Sequence, residues 1–282
     1  MDFEPIGQDA TEEEISEAAK VLLGETFGEI SEDILGMADD ERARSKHGAA
    51  NVIEEGYFGI PINSSPKPDF PDAGIELKVT PLKLTGDDDL VRPKERLVLS
   101  MVDYNAIAEA DHWTDVPALR KKLSKMLIIW YVHVVGEDRA DYPVVWVDIW
   151  EPDETWSQRL QDDFETVKEK VLAGEVPSER HVDYLGTCPK HGGGYIKENP
   201  SESPRSSKVA PDAHPVLDHA EKRGWSIALG GMMDVLLDST GLEKSKSGRS
   251  RGVDLEELEE RAAERSVDGF DGFDLEGGRL VI

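Results

Sequence analysis

A chain of 282 residues can bury a substantial core in one large domain or two small ones. Its single Cys excludes an internal disulfide and suits a reducing interior. With no basic-then-apolar leader and no apolar run of bilayer length, the expected location is the cytoplasm, away from membranes.

Asp and Glu number 59 against 32 Lys and Arg, a formal net charge of −27. A DNA-binding protein is expected to be basic somewhere, because phosphate neutralisation supplies most of its affinity. Three readings compete: a halophile-like acidic surface suited to a salt-rich cytoplasm, a protein with no nucleic-acid partner, and an acidic mimic of DNA. The first is preferred, because the acids are spread over the whole chain while the bases cluster.

In chain order, Thr11–Leu23 reads as an acidic amphipathic helix, with Thr11 as N-cap and Glu14 three residues on as a capping box. Arg42–Phe58 begins polar and becomes helical, with Ala49, Ala50, Val52 and Ile53 as its apolar stripe, followed by Glu54 and Glu55. Ile60–Pro68 is a Pro-, Asn- and Ser-rich loop. The stretch Pro68–Thr80 then carries the chemistry. Ile75, Leu77 and Val79 alternate with Glu76, Lys78 and Thr80, the period of a strand. Gly74 permits a bend that would bring Asp69 beside Glu76, and two carboxylates with a lysine at a strand end can hold a hard divalent cation and a water.

Arg96–Tyr104 reads as a strand and the natural neighbour of Ile75–Thr80. Val116–Lys125 reads as a short helix carrying Arg120, Lys121, Lys122 and Lys125. Leu127–Val135 and Tyr142–Ile149 read as central strands, antiparallel across a turn. Asp153–Gly174 is a long amphipathic helix built for packing. Cys188 and His191 lack partners at ligand spacing, so zinc is not expected. Trp225–Leu237 brings a strand and the start of a helix, Lys244–Arg251 a basic linker, and Leu255–Ala263 a short acidic helix.

Several phrases resemble the PD-(D/E)xK nucleases, and within them the group that holds the mismatch-repair nicking enzyme MutH and the type II restriction endonucleases cutting at GATC. Lys67-Pro68-Asp69…Ala73-Gly74-Ile75-Glu76-Leu77-Lys78-Val79-Thr80-Pro81-Leu82-Lys83 and Lys94-Glu95-Arg96-Leu97-Val98-Leu99-Ser100 look like the restriction members. Leu119-Arg120-Lys121-Lys122-Leu123-Ser124-Lys125 looks like the lysine-bearing helix of the nicking enzyme. Weaker echoes follow at His181–Leu185 and Arg223–Ile227, so that the likeness runs in order over about residues 11–240.

The resemblance implies an α/β fold: a restriction-endonuclease-like mixed central sheet flanked by helices, in two lobes around a DNA cleft. The early helices and the Lys122 helix are expected in one lobe; the central strands, the reading loop and the long helix in the other. Residues 1–243 would form the endonuclease domain, with a catalytic core at about 42–150 and a DNA-reading part at about 180–240; residues 244–282 would be a basic linker and acidic tail.

Asp69, Glu76 and the Leu77 carbonyl are implied as metal ligands. Lys78 would orient or deprotonate the attacking water, and Lys122 would assist. The family's metal-site glutamate is Glu54 when counted from Lys46 and Glu55 when counted back from Gly59 and Asp69, and both are kept. Lys46, Lys121, Lys190, His191 and Arg223 are the expected DNA contacts; Lys190 stands before His191-Gly192-Gly193-Gly194 on a loop able to reach guanine edges. Where the relatives have a lysine after the equivalent of Ile227, this chain has Ala228.

The implied activity is magnesium-dependent, sequence-specific cleavage of double-stranded DNA, with one or two metal ions and 5′-phosphate ends. A type II restriction enzyme acting on a GATC-like site is preferred, with a homodimer on a palindrome and a cognate DNA methyltransferase as partners. A mismatch-repair nickase is the alternative, and a non-catalytic DNA-binding or DNA-mimicking protein the alternative of another class.

Overall fold

The computed structural model describes residues 3–36, 48–61, 67–85, 90–190, 214–217, 220–247, 250–267, 270, 275–276 and 279–280. The helices are α1 (Glu12–Val21), α2 (Gly48–Asn51, continuing as a π-helix over Val52–Tyr57), α3 (Tyr104–Glu109), α4 (Pro117–Leu123), α5 (Glu154–Leu172), α6 (Leu229–Thr240) and α7 (Leu255–Arg265). The strands are β1 (Glu76–Thr85), β2 (Leu90–Pro93), β3 (Leu97–Met101), β4 (Met126–His133), β5 (Val144–Trp150), β6 (Leu185–Pro189), β7 (Arg223–Ile227), β8 (Ser245–Ser247), β9 (Ser250–Asp254), β10 (Leu275–Glu276) and β11 (Arg279–Leu280).

The chain divides into two compact units: residues 1–95, 124–151 and 233–282 in one, residues 96–123 and 152–232 in the other. The first unit is built on a mixed sheet ordered β5-β4-β1-β2-β9-β8. β1 and β4 pair in parallel from Glu76↔Met126 to Lys83↔His133, and every other pairing in that sheet is antiparallel. β4 and β5 form the expected antiparallel pair. Thr11 caps α1 with the predicted capping box to Glu14. Tyr57 donates to the Ala18 carbonyl at 2.8 Å, tying the π-helix to α1. Phe58 meets Phe70 edge-on at 5.5 Å, and both are fully buried.

Residues 244–265, read as linker and short helix, belong to the fold. β8 and β9 form a hairpin whose second strand pairs with β2 through Leu90↔Asp254 and Val91↔Val253. Helix α7 buries Leu255, Leu258 and Ala262 and lies against β5, where Arg265 bonds Asp148 at 3.1 Å.

The second unit holds a sheet ordered β3-β7-β6. This corrects the expectation for Arg96–Tyr104: β3 pairs with β7 through Leu97↔Ile227, and the strand beside β1 is β2. β2 is short and ends in Pro, a residue that ladders exclude from their interiors, so its four residues carry little strand signal. Within these units the Lys122 helix groups with the long helix α5, and the central strands group with the early helices.

Asp163 on α5 accepts three consecutive backbone N–H groups, from Asp183 at 3.3 Å, Tyr184 at 2.6 Å and Leu185 at 2.9 Å. Burial raises its carboxyl pKa, and the three N–H bonds pull it back. This carboxylate sets where β6 begins, and β6 leads to Lys190. Asp163→Ala should lower the unfolding free energy by about 2–3 kcal/mol in urea denaturation, the scale for hydrogen bonds to a charged group. A loss below about 0.5 kcal/mol would show that water replaces the carboxylate.

Candidate active site

β1 is covered unevenly. β4 takes one edge from Glu76 to Lys83, with the Glu76 N–H donating to the Lys125 carbonyl at 3.1 Å. β2 takes the other edge only from Leu82 onward. Between these limits the Leu77 backbone turns to side chains for its partners.

Pro68–Ile75 folds as the sequence suggests. Phe70 and Ile75 exchange backbone hydrogen bonds of 2.9 and 3.1 Å around a four-residue loop, and Gly74 closes it at φ +70°. Phe70 and Ile75 are fully buried, so the loop is seated by apolar packing. Asp69 stands just before this bridge, its carbonyl held by Gln8 Nε2 at 3.1 Å. Its Oδ2 accepts the Leu77 N–H at 3.0 Å.

Glu76 is only 2 % exposed. The strand alternation therefore does not leave a solvated face there, contrary to a simple in–out pattern: Glu76 and Thr80 are both buried. A buried carboxylate needs a partner, and Lys78 supplies it. Lys78 Nζ donates to Glu76 Oε1 at 2.5 Å and to the Leu77 carbonyl at 3.1 Å. A carboxylate oxygen and a carbonyl oxygen thus converge on one cationic point, and the Asp69 carboxylate is bound to the backbone N–H of the same residue, Leu77. These are hard oxygen donors of the kind magnesium takes, and a carboxylate-plus-carbonyl set with open positions suits a cation that keeps several waters. Magnesium is therefore compatible with the residues present.

The two glutamates behave differently from that core. Glu54 is half-buried and its carbonyl accepts the Ile60 N–H at 2.8 Å, whereas Glu55 is exposed. Among the described residues no three His, Cys, Asp or Glu side chains gather as a metal-holding group. The acidic donors brought to the Leu77 peptide are thus Asp69 and Glu76, and neither Glu54 nor Glu55 joins them in such a group.

The expected DNA contacts fall into three sets. Lys46 and His191 lie outside the described residues. On α4, Arg120 and Lys121 are exposed and Lys122 half-buried, all in the second unit. Lys125 lies in the first unit between Glu12 at 2.9 Å and Glu151 at 3.3 Å, and the Glu12 hydrogen bond, with Glu151 adding to it, holds its ammonium above the usual pKa. The Lys190 stem lies over Gly224, where a Cβ would stand 2.6 Å from Lys190 Cε. Arg223 is 4 % exposed; its guanidinium donates to Thr187 Oγ1 at 2.7 Å, to the Thr187 carbonyl at 2.8 Å and to Glu221 at 2.8 Å. It braces β6 against β7. An arginine at a strand start gives no sequence signal of inward bonding.

Comparison with known proteins places these residues in context. The family described as "MutH: DNA mismatch repair enzyme MutH" matches residues 58–163, a span holding Asp69, Glu76, Lys78 and Lys122. The DNA mismatch repair protein MutH of Vibrio campbellii is 31% identical over 185 residues, covering 64% of this chain and 77% of that protein. The protein of the same name from Vibrio parahaemolyticus is 30% identical over 185 residues, with 64% and 77% covered. That of Escherichia coli K12 is 28% identical over 189 residues, with 64% and 76% covered.

Two substitutions separate the structural duty of Asp69 at the Leu77 N–H from the ligand role expected of it. Asp69→Asn keeps an oxygen for the Leu77 N–H and should leave stability within about 1 kcal/mol, while Asp69→Ala strands that N–H and should cost about 1–3 kcal/mol. Both should weaken magnesium binding by titration calorimetry; full-strength binding by Asp69→Asn would remove Asp69 from the ligand set.

Proposed function

The chain belongs to the MutH family of DNA endonucleases, and from that premise we propose that it is a site-specific restriction nuclease using magnesium at the Asp69–Glu76–Lys78 cluster. The coarse activity is hydrolysis of a DNA phosphodiester bond. The finer reading is a type II enzyme acting on a GATC-like site and leaving 5′-phosphate ends. It is supported by the likeness of the Lys67–Lys83 and Lys94–Ser100 phrases to the restriction members. The observation that carries the chemistry is the meeting of the Glu76 carboxylate, the Leu77 carbonyl and the Lys78 ammonium beside Asp69 on the uncovered edge of β1.

Asp69, Glu76 and the Leu77 carbonyl would hold the magnesium ion, which when bound supplies a Lewis acid and a template for the phosphate. Lys78, held beside Glu76 and the Leu77 carbonyl, would turn its ammonium to the attacking water and to the charge that grows on the phosphoryl oxygens. Glu54 or Glu55 would position water or complete a second ion site. Lys122 would add positive potential, and Lys46, Lys121, Lys190 and His191 would meet the duplex. Arg223, as a brace of β6 and β7, would act on DNA through the strand it holds.

One cluster per chain cuts one strand, so a double-strand cut calls for two subunits on a palindrome. A methyltransferase of matching specificity would protect the host. The second reading, nicking in mismatch repair, is favoured by the names of the curated relatives.

Incubation with supercoiled plasmid, with magnesium and with chelator, tests the proposal. Linear products of fixed ends are expected with magnesium alone; nicked circles alone would select mismatch nicking, and intact plasmid at every salt concentration would defeat the nuclease reading. Lys78→Ala should lower the cleavage rate by about 10²–10⁴-fold, the range for lost acid–base assistance, with duplex binding retained. Wild-type turnover by that variant would take Lys78 out of the mechanism.

A further inference from the structure

The β8–β9 hairpin is a second basic feature, separate from α4 and from the catalytic cluster. Residues 244–251 contain Lys244, Lys246, Arg249 and Arg251 and no acid, in a chain of net charge −27. It lies outside the span matched by the family. The hairpin is no loose linker: Ser245↔Gly252, Lys246↔Arg251 and Ser247↔Ser250 pair in register. Lys244 and Arg251 are exposed, and neither makes an ion pair among the described residues, although acids outnumber bases almost two to one in this chain.

The ribbon is firmly seated. Val253 and Leu255 are buried. At Gly252 an added Cβ would stand 2.5 Å from the Val91 carbonyl oxygen, so only glycine lets β9 come this close to β2. Its direction follows from the pairings. β2 runs antiparallel to β1, and β9 antiparallel to β2, so residues before Val253 head toward the end of β1 that carries Glu76. Continuing the register puts Arg251 level with Leu82, six residues along β1 from Glu76 and two strands across. That is about 20 Å from Glu76, roughly six base-pair steps along a duplex.

We propose that the β8–β9 ribbon is a phosphate-binding arm that grips the backbone of duplex DNA away from the bond being cut. The proposal rests on DNA being the substrate. A two-stranded ribbon fits against a duplex, and phosphate contacts fix position and register without reading sequence. In a strongly acidic protein, an arm of this kind concentrates cations where the polyanion lies. It would affect binding and its salt dependence, and leave the cleavage step itself alone.

The test measures binding to a mixed-sequence duplex of about 30 base pairs, close to three helical turns, over a range of salt in chelator, alongside magnesium-dependent cleavage at saturating DNA. Lys244→Gln/Arg251→Gln should reduce the slope of log K against log salt by about 2, close to 0.9 per phosphate contact, with saturated cleavage unchanged. Lys20→Gln/Lys170→Gln removes the same charge from helical ion pairs and should leave the slope as in the wild type. An unaltered slope in the ribbon variant, or an equal loss in the control, overturns the arm while leaving the nuclease reading in place. A wild-type protein that binds no duplex at any salt overturns both.

Discussion

The Leu77 peptide is fastened on an open strand edge by two side chains of opposite charge: the Asp69 carboxylate takes its N–H and the Lys78 ammonium its carbonyl. A buried backbone group must be paired, and β-strands normally pair theirs with another strand. Here β4 uses one edge of β1, and β2 reaches the other only at Leu82. The unpaired stretch must find partners in side chains, and the chain supplies a carboxylate and an amine. A β2 extended by four or five residues would pair this edge and leave the charged groups no reason to meet there. Glu76, buried and paired with Lys78, adds a second constraint, since removing either member strands the other in a poorly solvated place. The cluster is thus held by ordinary backbone satisfaction, which brings carboxylate and carbonyl oxygens together at one place.

Much of this was legible because it is local. The period-two alternation, the glycine that closes the Phe70–Ile75 loop and the spacing of Asp69, Glu76 and Lys78 all lie within a dozen residues. The capping box of α1 and the hairpin of β4 and β5 were legible for the same reason. What failed to show was long-range choice. β3 has the composition of a central strand, but its partner β7 lies more than a hundred residues away, and nothing in Leu97–Met101 distinguishes that partner from β1. Strands β8 and β9 were hidden by their Ser, Gly and basic residues, which are poor strand formers; β9 pairs with β2 at its end, where Val253 is buried. The inward bonding of Arg223 was also hidden, since arginine is usually exposed and here braces two strands from within.

The ambiguity between Glu54 and Glu55 has a structural counterpart. Counting from Lys46 selects one and counting back from Gly59 and Asp69 selects the other, a difference of a single residue. Between those flanks the helix is wound as a π-helix over Val52–Tyr57. A π-turn closes on i→i+5 bonds and holds one residue more than the α-turn it replaces. An added residue in such a turn would leave both flanks in their places and shift only the count. The carboxylates are not equivalent in this geometry: Glu54 is half-buried and Glu55 faces solvent. π-bulges gather at functional sites because they re-aim a side chain without ending the helix.

The acidity of the chain bears on DNA binding through range. Several of its cations are paired with local acids: Lys20 with Glu17, Lys125 with Glu12 and Glu151, Lys170 with Glu175, Arg265 with Asp148. At a distance the duplex therefore meets net negative charge, and approach is slowed wherever salt does not screen it. Screening lengths are about 10 Å at 0.1 M salt and about 3 Å at 1 M, so added salt removes this barrier before it touches groups in contact. Contact itself is governed by how many phosphates are neutralised locally, and each such contact loses affinity as salt rises. A protein that makes few phosphate contacts, places them at fixed positions and leans on metal and base contacts for the rest keeps more of its affinity in concentrated salt than one coated with lysine. Net charge of −27 and a duplex substrate are then compatible, provided cations are concentrated where the backbone of the duplex runs.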